Sequence, residues 1–79
     1  MYYVYIIFSV EYDEWYVGST NDLQNRIHDH NSGKNLHTKK YKPWKLVHYS
    51  AFKSKTRALE FERYLKTGSG RAFSRKHLR

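Results

Sequence analysis

Residues 2–20 read YYVYIIFSVEYDEWYVGST, and five of these nineteen residues are tyrosines. Residues 2–8 are β-branched and aromatic throughout, which predicts a strand. Residues 9–14 (SVEYDE) are polar enough for a turn, and residues 15–19 (WYVGS) read as a second strand. Two strands joined so closely pair antiparallel, so the stretch predicts a β-hairpin. Tyrosines are ordinary sheet formers, and Tyr2, Tyr3 and Tyr12, like Trp15, fit sheet, rim or turn positions. Tyr5 and Tyr16 stand apart because each centres a short word, Tyr3-Val4-Tyr5 and Tyr16-Val17-Gly18.

Downstream of the hairpin the pattern turns helical. Thr20 or Asn21 can cap a helix over about residues 22–31, Asp22 suits its positive end, and Gly33 is a suitable stop. A basic loop containing Pro43 follows. Residues 45–52 (KLVHYSAF) predict a third strand, and residues 55–67 a second helix ended by Gly68-Ser69-Gly70. Residues 71–79 allow a last short helix. The order is ββαβα with room for a final α. It predicts an α+β fold, a small three-stranded antiparallel sheet flanked by two or three helices, in one domain over 1–79.

With 79 residues and no cysteine, neither disulfides nor thiolate zinc sites can reinforce so small a fold. Fourteen Phe, Tyr and Trp must supply much of the core. The apolar run Tyr2–Phe8 lacks a basic flank and is too short for a signal peptide or membrane span. A cytoplasmic protein without a membrane partner is expected.

Charge is divided unevenly. Residues 1–33 carry one basic and five acidic residues, and residues 34–79 carry fourteen basic and two acidic. A net charge of +8 with this asymmetry points to a polyanionic partner, foremost nucleic acid.

Polar residues also fall where burial is expected. On the second helix Ala58, Phe61 and Leu65 share a face, with Glu62 at its edge and Glu60 pointing away. A carboxylate placed there needs a cationic partner or a metal. On the first helix Leu23 and Ile27 form the apolar pair, flanked by Arg26 and His30 at i, i+4. An ion pair from Arg26 to Glu62 or Asp22, and a packed, hydrogen-bonded His30, account for these residues structurally. The same types also suit phosphodiester cleavage: a carboxylate for Mg²⁺ or Mn²⁺, a guanidinium for phosphate oxygens, an imidazole and phenols. A small salt-bridge network fits the set as well.

These residues, taken in order, resemble the GIY-YIG nuclease superfamily. Tyr3-Val4-Tyr5 and Tyr16-Val17-Gly18, with ten residues between Tyr5 and Tyr16, match its two words. The likeness continues through Asn21-Asp22-Leu23, Arg26, His30-Asn31-Ser32-Gly33, Thr38, Pro43-Trp44 and Ala58-Leu59-Glu60-Phe61-Glu62. It covers nearly the whole chain and is similar to small stand-alone bacterial members and to the nuclease subunit of structure-specific endonucleases. Tyr3 stands where the first word has glycine. A late asparagine of the family has Ser74 as its nearest polar counterpart here.

The resemblance implies hydrolysis of one DNA strand with one divalent metal, leaving 5′-phosphate and 3′-hydroxyl ends. It implies Glu62 as metal ligand and Arg26 at the scissile phosphate. Tyr5 would be general base, Tyr16 would position water or phosphate, and His30 would assist. Gly18 would allow a bend or close packing. Tyr5 and Tyr16 are expected to point toward Arg26 and Glu62. An unaided phenolate at neutral pH costs about 4 kcal/mol, so cations near Tyr5, or proton transfer from Tyr5 to His30, must lower that cost. Lys39, Lys40, Lys66 and Arg71 are candidate phosphate contacts. With no recognition domain, structure rather than sequence preference is expected, with a homodimer or larger protein as a further partner. A non-catalytic nucleic-acid-binding module and an RNA- or ribosome-binding protein are the competing readings.

Overall fold

The computed structural model describes residues 1–79. Strands β1 (Tyr2–Ser9) and β2 (Glu14–Thr20) form the expected antiparallel hairpin, and β3 (Lys45–Phe52) pairs antiparallel on the other side of β1. The order β2-β1-β3 makes β1 the central strand, and four consecutive residues, Val4–Ile7, are fully buried. A strand covered on both faces reads as an unbroken apolar run rather than an alternating one, which is why residues 2–8 carry so little polarity.

The two faces have separate cores. Val4 and Ile6 pack with Ala58 and Leu65, supported by Val17, Phe52, Phe61 and Leu78. Tyr5 and Ile7 pack with Trp44, supported by Tyr16, Leu23, Ile27 and Leu46. Helix α1 (Leu23–Ser32) therefore covers one face, and α2 (Lys55–Leu65) with α3 (Gly68–His77) covers the other. The fold is α+β, three strands and three helices, as expected.

Two helix boundaries differ from the sequence reading. Asp22 caps α1 by accepting from the Asn25 N–H, in place of Thr20 or Asn21, while Gly33 closes the helix in the left-handed region as expected. Gly68-Ser69-Gly70 does not lie beyond the helical segments as a break; it forms the first turn of α3. Local propensity favours a break there, but the Thr67 hydroxyl accepts from the Gly70 N–H and starts a new helix. Gly70 also lies against the end of α2. A Cβ there would fall 1.8 Å from the Tyr64 carbonyl oxygen, so only glycine lets α3 turn so tightly onto α2.

Because the clash is with backbone, Gly70→Ala should cost at least about 2 kcal/mol and lower the thermal midpoint by roughly 10 °C. Gly68→Ala, with open space around it, should leave the midpoint within a few degrees. Circular dichroism melts compare the two, and equal midpoints would refute the packing role of Gly70.

Candidate active site

Tyr5 sits mid-way along β1 with no exposed surface. Its hydroxyl is 2.7 Å from His30 Nε2, and His30 Nδ1 is 2.7 Å from Thr38 Oγ1. His30 and Thr38 are equally buried. The Trp44 indole donates to the Thr38 carbonyl at 2.9 Å, while the Asn31 side chain bonds both the N–H and the carbonyl of Trp44. A polar chain thus runs from the central strand through α1 to the entry of β3. Burying these groups is tolerable because each finds a partner.

Protonation follows from the same geometry. Burial pushes the Tyr5 hydroxyl up to about 12, although the Arg26 guanidinium beside it opposes this. Burial, and then the Arg26 charge, push the His30 imidazole down. Both groups are neutral at pH 7. The Tyr5 proton needs an acceptor, and Arg26 offers only donors. His30 Nε2 is therefore the acceptor, leaving the proton of the imidazole on Nδ1, where it donates to Thr38.

Gly18 faces Tyr5 across the hairpin register. A Cβ on Gly18 would fall 2.5 Å from the Tyr5 hydroxyl oxygen and 3.1 Å from the Tyr16 ring, so the space of the missing side chain is filled by the phenol. Tyr16 is half-buried, with its ring 5.1 Å from the His30 ring and 6.5 Å from that of Tyr5.

Glu62 lies on the opposite face. Alternation along β2 puts Tyr16 and Gly18 toward α1, and Val17 and Ser19 toward α2. The Ser19 hydroxyl donates to Glu62 Oε1 at 2.6 Å, and Lys66 Nζ donates to Oε2 at 2.9 Å. Burial raises this carboxyl, but its bonds to Lys66 and Ser19 outweigh that and hold it below the usual range, ionised at neutral pH. The expectation that both tyrosines point toward Arg26 and Glu62 is met in part: Tyr5 lies beside Arg26 on the face away from Glu62, which reaches it only through its field, whereas Tyr16, on the edge strand, also lines a cavity with Lys66, the partner of Glu62.

Arg26 joins the two halves. It projects from α1 at the edge of β2 into a cleft of about 320 Å³, shared with Ser19, Thr20, Lys55 and Ala58. Its Nε is buried without a hydrogen-bond partner. It pairs with neither Glu62 nor Asp22, since Lys34–Asp29 and Lys66–Glu62 are the ion pairs of the protein. Arg26 is only half-buried, and the part of its guanidinium that lines the cleft can donate to a phosphate oxygen.

The remaining candidates fall into two separate places. Lys39 and Lys40 lie in a 3₁₀ turn beside Thr38, on the face away from Glu62. Lys66 is taken up by Glu62, and Arg71 lines a different cavity together with the buried Ser74. Ser19 carried no signal in the sequence beyond being a hydroxyl on the Glu62-facing side of β2. Thr38 belonged to the family pattern, but its bond to His30 was not legible.

The two phenols differ in access: Tyr5 has no exposed surface, whereas Tyr16 is half-buried and open to a water in this arrangement. Glu62 is an ionised carboxylate, the hard oxygen donor that divalent ions prefer, and an ion there would take the place of the Lys66 ammonium on Oε2. No group of three or more His, Asp or Glu surrounds it, so waters and substrate oxygens would complete the coordination.

Similarity to known proteins agrees with this architecture. The family model described as the GIY-YIG catalytic domain matches residues 1–76. The UPF0213 protein YazA of Bacillus subtilis is 40% identical over 55 residues, covering 68% of this chain and 56% of that protein. A UPF0213 protein of Limosilactobacillus reuteri is 35% identical over 68 residues, covering 82% and 70%. The chain thus spans little more than half the length of the first of these relatives. The solution NMR structure of the UPF0213 protein BH0048 from Bacillus halodurans matches with a TM-score of 0.57 at 38% identity, over 95% of this chain and 81% of that one.

The depressed His30 value has a sign. The unfolded imidazole binds a proton near pH 6.5 and the folded one only at lower pH. The stability this contributes is complete above pH 6.5 and is lost as pH falls toward the folded value. His48 is depressed by burial and adds to the same slope. Urea midpoints should therefore fall between pH 7.5 and 5.5, and His30→Gln should reduce that fall. Tyr5 acts in the opposite sense: its stability is intact below pH 10 and is lost as pH rises toward 12. A stability profile unchanged by His30→Gln would contradict a neutral buried imidazole.

Proposed function

The chain belongs to the GIY-YIG catalytic-domain family, a family of endonuclease domains, and on that premise we propose that it is a divalent-metal-dependent endonuclease acting on one strand of DNA. In this reading it selects structure rather than sequence and leaves 5′-phosphate and 3′-hydroxyl ends. The observation that carries the reading is that β2 brings together a cleft-lining guanidinium free of any ion pair and, through Ser19, an ionised carboxylate. Phosphate oxygens need the first, and a hard cation needs the second.

Glu62 would hold one Mg²⁺ or Mn²⁺, held in turn by the Ser19 hydroxyl on Oε1. A bound ion would supply charge neutralisation at the leaving 3′ oxygen. Arg26 meets the phosphate and offsets charge gathering on its oxygens. Tyr16 is the phenol that positions water. Tyr5 and His30 act from behind, as a rigid neutral pair forming the wall against which Arg26 lies. A cytoplasmic location, and a second copy or larger partner where both strands must be cut, belong to the same reading. The Lys66–Glu62 ion pair, which satisfies the carboxylate without a metal, favours one alternative: a nucleic-acid-binding module that does not cleave.

Branched, nicked and single-stranded DNA incubated with Mg²⁺ or Mn²⁺ tests the proposal. Cleavage should vanish in EDTA. Glu62→Ala and Arg26→Ala should each lower it by about 10²–10³-fold, in the range of losing one transition-state donor. Tyr16→Phe should cost more than Tyr5→Phe. The reverse order would return the base to Tyr5, and salt-dependent binding with no cleavage under any metal would establish the module instead.

A further inference from the structure

A cavity of about 520 Å³, separate from the Arg26 cleft, lies at the other end of β2, on the Glu62 side of the sheet. Lys66 lines it while bonding Glu62, so the pocket and the carboxylate adjoin. Its cationic wall is Arg71 and Arg79 from α3 and the residues after it. Arg79 lies over the Trp15 indole at 4.0 Å, and Phe8 packs against the same indole at 4.3 Å between ring centroids. The indole thus contacts both an aromatic ring and a guanidinium. A stacked guanidinium still presents its in-plane N–H edge outward, the edge that binds phosphate bidentately.

Neither arginine forms an ion pair. Asp13 and Glu14 also line the pocket, yet neither pairs with them. Burial and the nearby Arg75 and Arg71 charges all disfavour the charged form of Arg79. Arginines free of ion pairs, one of them held on an aromatic plate, can still take up an anion.

We propose that this pocket is a second phosphate site, in which Arg71 and Arg79, the latter oriented by Trp15, grip the nucleic-acid strand on one side of Glu62 while Arg26 meets it on the other. The strand then follows β2, whose seven residues span about 20 Å, room for more than one phosphate. This rests on the nuclease reading only for the identity of the strand. Trp15 is a positioning residue, since it touches Arg79 rather than the ligand.

Binding of a fluorescent oligothymidylate to the full chain in EDTA, followed by anisotropy over a range of salt, tests the pocket apart from catalysis. Arg71→Gln and Arg79→Gln should each weaken binding and lower the log–log salt slope by about one. Lys34→Gln, on the far side of the sheet, should change neither. Trp15→Ala should weaken binding and Trp15→Tyr restore it, because an aromatic face still holds the guanidinium. Unfolding midpoints identify any variant that fails to fold, and the slope is a readout that mere structural damage does not shift by one charge. Slopes unchanged in both arginine variants overturn the proposal, even if DNA is cleaved. Equal competition by polyglutamate overturns it too, by showing a site for acidic protein. Slopes reduced as stated uphold it even if no DNA is cut, which would count against the nuclease reading alone.

Discussion

A tyrosine hydroxyl with no exposed surface must be satisfied from within the protein, and much of this structure follows from that requirement. The Tyr5 oxygen is met by His30, His30 by Thr38, and the Thr38 backbone by Trp44. Each link belongs to a different part of the chain: central strand, first helix, loop, entry to the third strand. Leaving any buried member unpaired costs about 1–3 kcal/mol, so the chain of bonds fixes where α1 and the loop lie relative to the sheet. The phenol also fills the space over Gly18, while the next residue of β2, Ser19, holds Glu62 from the other face.

Arg26 is the group that profits from this rigidity. A long side chain at a helix surface normally samples many rotamers, and ordering it costs roughly 1.5–2 kcal/mol. Here it lies beside a neutral phenol, at a strand edge, with part of its guanidinium already buried. Much of the ordering a phosphate would demand is done in advance. The carboxylate is treated the same way: Ser19 and Lys66 hold Glu62 from both oxygens.

The strands could be read from the sequence, and candidate site residues named from it, because both depend on short-range pattern. Apolar runs, helix periodicity and the two tyrosine words survive any arrangement of the elements. What could not be read depends on which face meets which. Glu62 was placed correctly at the edge of its helix, but its helix lies across the sheet from Tyr5, and no spacing in the sequence encodes that. Gly68-Ser69-Gly70 looks like a break by propensity, and becomes a helix because Thr67 caps it and Gly70 packs on Tyr64. The arginine stacked on Trp15 joins residues 64 positions apart; only the three-dimensional fold brings them together.

The sheet has two outer strands, and β3 presents the longer free edge. Unpaired N–H and C=O groups along such an edge can template another strand, a hazard that proteins counter with charge. Lys45 opens β3 and Lys53 follows its end, and the chain as a whole carries +8. Two copies approaching edge to edge therefore repel each other, over a distance of about 10 Å in 0.1 M salt and about 3 Å in 1 M. The same excess of positive charge that draws a polyanion also acts as the colloidal stabiliser of an open-edged sheet, and concentrated salt weakens both at once.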